Sequence, residues 1–285
     1  MAVQFVLTEE QGLLRDQVRD LLQKQATPES LRTLITNGEP WNPNLWREMA
    51  GLGLLGAAIP ESYGGVGLGA MELAVICEEL GRAVAPVPFF SSVCMAAEAL
   101  ALAGSDAQKA RWLPGIASGE TVATFAWAEG NGGPGAPCAA TIAGGRLRGR
   151  KWPVPDAGIA DLCVVLARSD QGPALAVLEL NQRGVTRTPL DGFDQLRHHA
   201  DVAFDGARCE VLDGAPAAGA LDELFDRLAV YEAFEQLGGT ESALYMARDY
   251  TMQRYIFGRQ LASYQAVKHN LADILVMAEL ARGNA

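Results

Sequence analysis

The hydrophobic period of this chain changes twice, and that limits the folds open to it. Up to Gly119 apolar residues recur at helical spacing. Thr8 with Gln11 forms a capping box. Leu14, Val18, Leu21 and Leu22 continue from it as a helix to about Gln25. Asn44 opens a short helix that Gly51 or Gly53 closes, and Met71 to Leu80 is a longer one. Glu78 and Glu79 read as its solvated face. Ser91 to Ala103 is a buried helix ended by Gly104, and Asp106 caps another that stops at Pro114.

From Thr121 the pattern is that of strands: Val122–Trp127, Leu162–Leu166, Ala174–Leu180, Val185 and Ala200–Phe204, with a hairpin signal at Gly144-Gly145. Short strands without intervening helices predict an antiparallel barrel or sandwich. The helical period returns at Leu221. The expected architecture is therefore α–β–α multidomain. An all-α domain covers 1–119, a middle β domain 120–215 and a helical bundle 220–285, with Gly214–Gly219 as the joint between the last two.

At 285 residues the chain has room for roughly two domains and a large core. A formal charge of −11 excludes nucleic acid and anionic membrane as general partners, since phosphates are repelled over most of the surface. No apolar run approaches membrane-spanning length. The first eight residues show no basic segment followed by an apolar one, so no export signal is expected and the chain reads as cytoplasmic. Five scattered cysteines without a CxxC pair predict free thiols, with neither disulfide nor zinc. Gly65, Gly67 and Gly69 look like part of a dinucleotide fingerprint. They lie between helices instead of after a strand, so a glycine-rich turn is the better reading. His198, His199 and His269 lack the neighbours of a catalytic or metal constellation, and no metal site is expected.

The stretch Tyr250 to Gln265 carries the most specific pattern. A helix from Leu221 is expected to end at Gly258, a glycine where a left-handed C-cap belongs, and a second helix to run from Ser263 to Arg282. Arg254 and Phe257 then share one face of the last turn. Such a pair suits a ligand both anionic and flat, although an Arg at a helix C-terminus is also ordinary dipole chemistry. Arg254 to Gln265, with His269 and Ala272-Asp273, resembles the RxxFG…FQ…H..AD signature of the acyl-CoA dehydrogenase family. Two further stretches resemble it independently: Pro60 to Ala83, similar to PExxGGxG…EELGRA, and Phe125 to Ala136 with Lys151 to Asp161.

The resemblance implies an FAD-dependent oxidoreductase that carries out α,β-dehydrogenation of an acyl-CoA thioester and passes electrons to an acceptor flavoprotein. It implies that Arg254, Phe257, Gly258 and Gln265 lie against an FAD held mainly by a neighbouring subunit, and that Glu129 and Trp152 belong to the flavin side of the barrel. Glu129, Gly133, Lys151, Ala160 and Asp161 fall in register with the family. Ala128, Pro134 and Pro155 stand where the family has hydroxyl side chains, and none of these three donates a side-chain hydrogen bond. Pro153 replaces the expected aromatic, with Trp152 one place early as flavin wall or structural residue. Arg146, Arg148, Arg150 and Lys151 suit coenzyme A phosphates or, the preferred reading, the solvent face of a hairpin.

No catalytic base is assigned. Leu228 holds the position that carries it in a minority of the family, and Ala229 holds the position of an Arg near the substrate. Glu232 and Glu235 sit outside base positions. Glu235 to Gly239 resembles the A-E-Q-x-G-G run of the bacterial heteromeric subfamily acting on steroid and related CoA esters. The apolar stripe Leu271, Ile274, Leu275, Ala278 and Ala281 needs a cover: further helices of a bundle that appears incomplete here, or a partner subunit. The expectation is one subunit of a heteromeric or homo-oligomeric dehydrogenase. The alternatives are a non-catalytic structural or regulatory subunit and a flavin oxidase of the same fold.

Overall fold

The computed structural model describes residues 7–130, 133 and 138–284. The expectations placed on residues 1–6 and on Pro134 lie outside them. In chain order the elements are α1 (Glu9–Gln25), α2 (Pro28–Asn37), α3 (Pro43–Gly51), α4 (Ala70–Ala83), a π-helical turn (Phe90–Ala97) continuing as α5 (Glu98–Ala103), and α6 (Asp106–Ala117). Strands β1 (Ala123–Ala126), β2 (Thr141–Ala143), β3 (Arg146–Pro155), β4 (Leu162–Ser169), β5 (Gly172–Glu179), β6 (Val185–Leu190), β7 (His199–Arg208) and β8 (Glu210–Val211) follow. The chain then forms α7 (Ala217–Gln253), a miniature hairpin β9 (Tyr255–Ile256) and β10 (Arg259–Gln260), and α8 (Gln265–Asn284). The helix–sheet–helix order agrees with the sequence reading. The elements gather into two compact units that cut across chain order.

One unit takes its residues from within Met1–Thr27, Met71–Ala85 and Ala229–Ala285. At its centre is α4, buried on every side from Leu73 to Leu80. Glu78 and Glu79 are therefore internal, 8% and 1% exposed, which overturns their reading as a solvated face. Buried carboxylates require partners. Arg19 binds Glu79 with both Nε and Nη2, at 2.8 and 2.7 Å. Arg82 reaches Glu78 at 3.0 Å and Glu241 of α7 at 2.6 Å. Arg282 of α8 bonds Glu78 at 3.1 Å and also Glu241. Glycine sets how closely α4 meets α7: a Cβ on Gly81 would lie 1.9 Å from the Glu235 carbonyl oxygen, and one on Gly238 1.8 Å from that of Glu78.

The other unit spans Pro28–Ala70 and Pro86–Leu228. Its eight-stranded sheet runs β6-β7-β3-β2-β4-β5-β8, with β1 joined to β4. Pairing is antiparallel except at β1–β4 and β2–β4. All four residues of β1 are buried, as is the stretch Leu162–Val165 of β4, as expected of strands enclosed on both faces. Trp46 of α3 donates its indole N–H to the Gly119 carbonyl at 3.0 Å.

Several helix boundaries differ from expectation, three of them with a clear local cause. Ser105, not Asp106, caps α6, because Gln108 completes a capping box with it. Pro114 does not stop α6, which continues to Ala117. A proline removes one backbone bond, and burial of Leu113, Ile116 and Ala117 on either side of it outweighs that loss. The third is the end of α7, at Gln253 instead of Gly258.

Gly238→Ala forces α4 and α7 apart and is expected to cost about 3 kcal/mol in denaturant unfolding. Gly258→Ala meets no neighbouring atom within 4 Å and is expected to cost about 1 kcal/mol, from its positive φ alone.

Candidate functional site

The candidate residues fall in the two compact units, and each group stands by itself. In the sheet unit Lys151 closes the basic run of β3. The strand turns Arg146, Arg148 and Arg150 outward, while Leu147 and Lys151 share the inner face and are 0% exposed. Lys151 is thus not on the solvent face. Its ammonium donates to the Glu129 carboxylate at 2.7 Å and to the Trp127 carbonyl at 3.0 Å, and lies 3.2 Å from Cys138 Sγ. Glu129 also accepts the amide N–H groups of Ala139 (2.7 Å) and Ala140 (3.0 Å). Burial alone raises this carboxyl. The Lys151 ammonium and the two amides outweigh it and hold the group at about 2. Glu129 is therefore a spent acceptor inside the sheet unit.

Trp152 packs its indole against Gly130, where a Cβ would stand 2.9 Å from the ring, and Arg150 lies 4.6 Å over it. The surrounding backbone is occupied as well. Gly130 N–H donates to the Trp152 carbonyl, Trp152 N–H to the Ala128 carbonyl, and Thr124 hydroxyl to the Pro155 carbonyl. Ala128, Pro153 and Pro155 have no side-chain donor. With those backbone donors already used, this corner of the sheet unit does not fit a flavin ring that needs them.

In the helical unit the expected helical face does not exist. After Gln253 the chain turns into the β9–β10 hairpin, with Phe257 at φ 50° and Gly258 at φ 76° in its turn. Gly258 is a hairpin residue, not a helix cap, and Arg254 and Phe257 do not share a helical turn. Positive φ at both central positions is the requirement of a type I′ turn, which favours Asn-Gly. The hairpin is pinned from within. Tyr264 hydroxyl donates to the Ile256 carbonyl at 3.0 Å, Arg259 lies 3.8 Å over the Tyr264 ring, and Leu261 N–H donates to the Arg254 carbonyl at 2.7 Å. Phe257 is 94% exposed. The Arg254 guanidinium is exposed and makes no side-chain bond among the described residues. Gln265 opens α8, with its amide nitrogen 3.4 Å from His269 Nε2. Tyr264 and Arg259, which fix the hairpin, escaped the sequence reading because a hairpin of two-residue strands has no periodic signal.

Leu228 is buried and offers no acceptor, and Glu232 accepts from Gln236 at 2.9 Å on its own helix. Sequence reasoning did not single out Glu98, 6% exposed and bound by Arg227 at 2.5 Å. Burial raises its carboxyl, and the Arg227 pairing only partly offsets this. Among the described residues no group of three or more His, Cys, Asp or Glu is placed to hold a metal ion, and no helix is long and apolar enough to cross a membrane.

Helices, then a mainly antiparallel eight-stranded sheet, then helices joined by an exposed hairpin make this a helix–sheet–helix protein. The acyl-CoA dehydrogenase N-terminal domain matches residues 8–120, and the acyl-CoA dehydrogenase C-terminal domain matches residues 220–283. The chain belongs to the acyl-CoA dehydrogenase family, oxidoreductases acting on CH–CH groups. Acyl-CoA dehydrogenase FadE27 of Mycobacterium tuberculosis is 33% identical over 275 residues, which are 94% of this chain and 72% of that protein. A steroid ACAD variant of Tcur3481-Tcur3483 superposes with a TM-score of 0.87 at 36% identity, covering 95% of this chain and 74% of that one. The ChsE4-ChsE5 complex from Mycobacterium tuberculosis does so with a TM-score of 0.87 at 30% identity, covering 98% and 79%.

Glu129→Gln leaves a buried ammonium without its counter-charge and is expected to cost about 3 kcal/mol, with Lys151→Met in the same chain recovering part of the loss. Because the folded carboxyl sits below the ordinary value of 4.5, its contribution is full above pH 4.5 and is lost as pH falls towards 2. Acid unfolding of Glu129→Gln should lack that step.

Proposed function

We propose that this chain is one subunit of an FAD-dependent acyl-CoA dehydrogenase that carries out α,β-dehydrogenation of an acyl-CoA thioester, and that its hairpin serves a flavin seated mainly on a partner subunit. The observation carrying this reading is Phe257. A bulky residue in the left-handed region costs about 1–2 kcal/mol, and an aromatic left 94% exposed adds the lost burial. Tyr264 holds the hairpin so that both costs persist, with the exposed, unbonded guanidinium of Arg254 at the base of the same hairpin. A guanidinium and an aromatic ring held outward suit a dinucleotide, the first for its diphosphate and the second for its flat rings.

Two further features favour a partner. The corner of the sheet unit around Trp152 does not supply the donors a flavin needs, so no step of the reaction is assigned to it. Ile274, Leu275, Val276, Met277 and Leu280 of α8 are 40–68% exposed, an apolar surface of the kind that marks a subunit interface. Within this reading the chain is organised as domains 1–119, 120–215 and 220–285. The assembly is cytoplasmic, delivers electrons to an acceptor flavoprotein and, by similarity to the steroid ACAD relatives, takes a bulky ring-bearing acyl group. The second reading, a structural subunit that touches no flavin, is favoured by Leu228, which cannot take a proton.

Purified by itself, the chain should show little visible flavin absorbance; stoichiometric flavin bleached by an acyl-CoA would rule out dependence on a partner. In the assembled enzyme Arg254→Ala should weaken FAD retention about tenfold or more. Retention unchanged in Arg254→Ala would favour the structural reading. Phe257→Asn should stabilise the isolated chain by about 1 kcal/mol while weakening FAD retention in the assembly.

A further inference from the structure

One cavity of the sheet unit carries a charge pattern that the reading above does not use. It holds about 600 Å³ and is lined by Arg146 and Arg148 of β3, Gln182 and Arg183 of the β5–β6 connection, and Asp205 and Arg208 of β7. Four guanidiniums thus face one carboxylate in a chain whose net charge is −11. The carboxylate answers one of them, Arg148, at 2.5 Å. Arg146 donates to the Gly206 carbonyl at 2.9 Å, and the guanidiniums of Arg183 and Arg208 make no bond among the described residues.

The register makes the arrangement costly. Arg146 and Arg208 are direct cross-strand partners in the β3–β7 ladder. Like charges placed directly opposite each other destabilise a sheet. Nor is the crowding an accident of loose loops. Gln182 is tied to Arg208 twice, accepting its amide N–H at 3.0 Å and donating to its carbonyl at 2.9 Å. Gly184, at φ 88°, lets the connection approach so closely that a Cβ there would stand 2.7 Å from the Asp205 carbonyl oxygen. The turn that brings Arg183 beside Arg208 is therefore built and fastened. A rule of local stability is broken, and among the described residues no carboxylate pairs with Arg146, Arg183 or Arg208, the pattern expected of a binding site.

We propose that this cavity binds a phosphorylated small molecule bearing at least two phosphate charges. Guanidinium forks match phosphate oxygens in shape as well as charge, and the volume lies in the range of small-ligand pockets. Among the described residues no aromatic side chain lines the cavity, so the ligand presents phosphate and not a stacked base.

Inorganic pyrophosphate is the probe, titrated calorimetrically into the full chain, or into its complex where it purifies as one. One pyrophosphate should bind per chain, and Arg208→Gln or Arg183→Gln should weaken it about tenfold or more. Without pyrophosphate, Arg208→Gln should raise Tm, because the like-charge pair is gone. Sulfate at matched ionic strength serves as the control. The proposal is overturned if pyrophosphate shows no saturable binding, if sulfate reproduces its heat, or if both variants bind as the parent does. Loss of partner association in the same variants, without any pyrophosphate binding, would assign the arginines to an acidic protein contact and likewise overturn it.

Discussion

Burying α4 on all sides is the constraint from which the helical unit follows. A helix without a wet face has nowhere to place a glutamate, yet α4 carries two in succession, Glu78 and Glu79. Each is an obligation that three arginines from α1, α4 and α8 discharge, with Glu241 of α7 sharing two of them. Ion pairs of this kind add little net stability against an apolar core of equal volume, because desolvation consumes most of the attraction. Their effect is on arrangement: helices distant in sequence meet in one register that leaves no charge unanswered. Gly81 and Gly238 make that register reachable by letting backbone meet backbone. The A-E-Q-x-G-G run is thus, in part, a packing requirement.

The architecture was legible because the periods of 3.6 and 2 residues differ enough to see, and the change near Thr121 coincides with the first strand at Ala123. Individual charges were less legible. Leu147 and Lys151 have the same parity on β3, so strict alternation would have turned the lysine inward, but the basic run Arg146, Arg148, Arg150 and Lys151 suggested a wet surface. Glu78 and Glu79 misled for the same reason: composition describes a segment's average, while partners 60 and 204 positions away decide where a single carboxylate goes. Pro114 showed that one missing backbone bond does not end a helix whose flanks are buried.

For the candidate site, residue identity was legible and geometry was not. Arg254, Phe257 and Gly258 stood out by pattern, but the hairpin between α7 and α8 depends on Tyr264, whose hydroxyl reaches back eight residues to Ile256. No helical or strand period encodes such a contact. The Trp152 corner of the sheet unit was easier to read, since the absence of a hydroxyl at Ala128 and Pro155 is a matter of composition. The structure adds that Gly130 and Trp152 have turned the neighbouring backbone groups on each other.

Helix α8 has a single buried residue, Ala278, and its last turn is moored by Arg282 to the carboxylates of Glu78 and Glu241. A helix fastened through its charged end cannot roll to tuck its greasy side away, since rotation would tear a guanidinium from two buried acids. Its leucine and methionine side chains are therefore held out in water by electrostatic leverage. Kept alone at high concentration, such a surface would be inclined to stick to copies of itself.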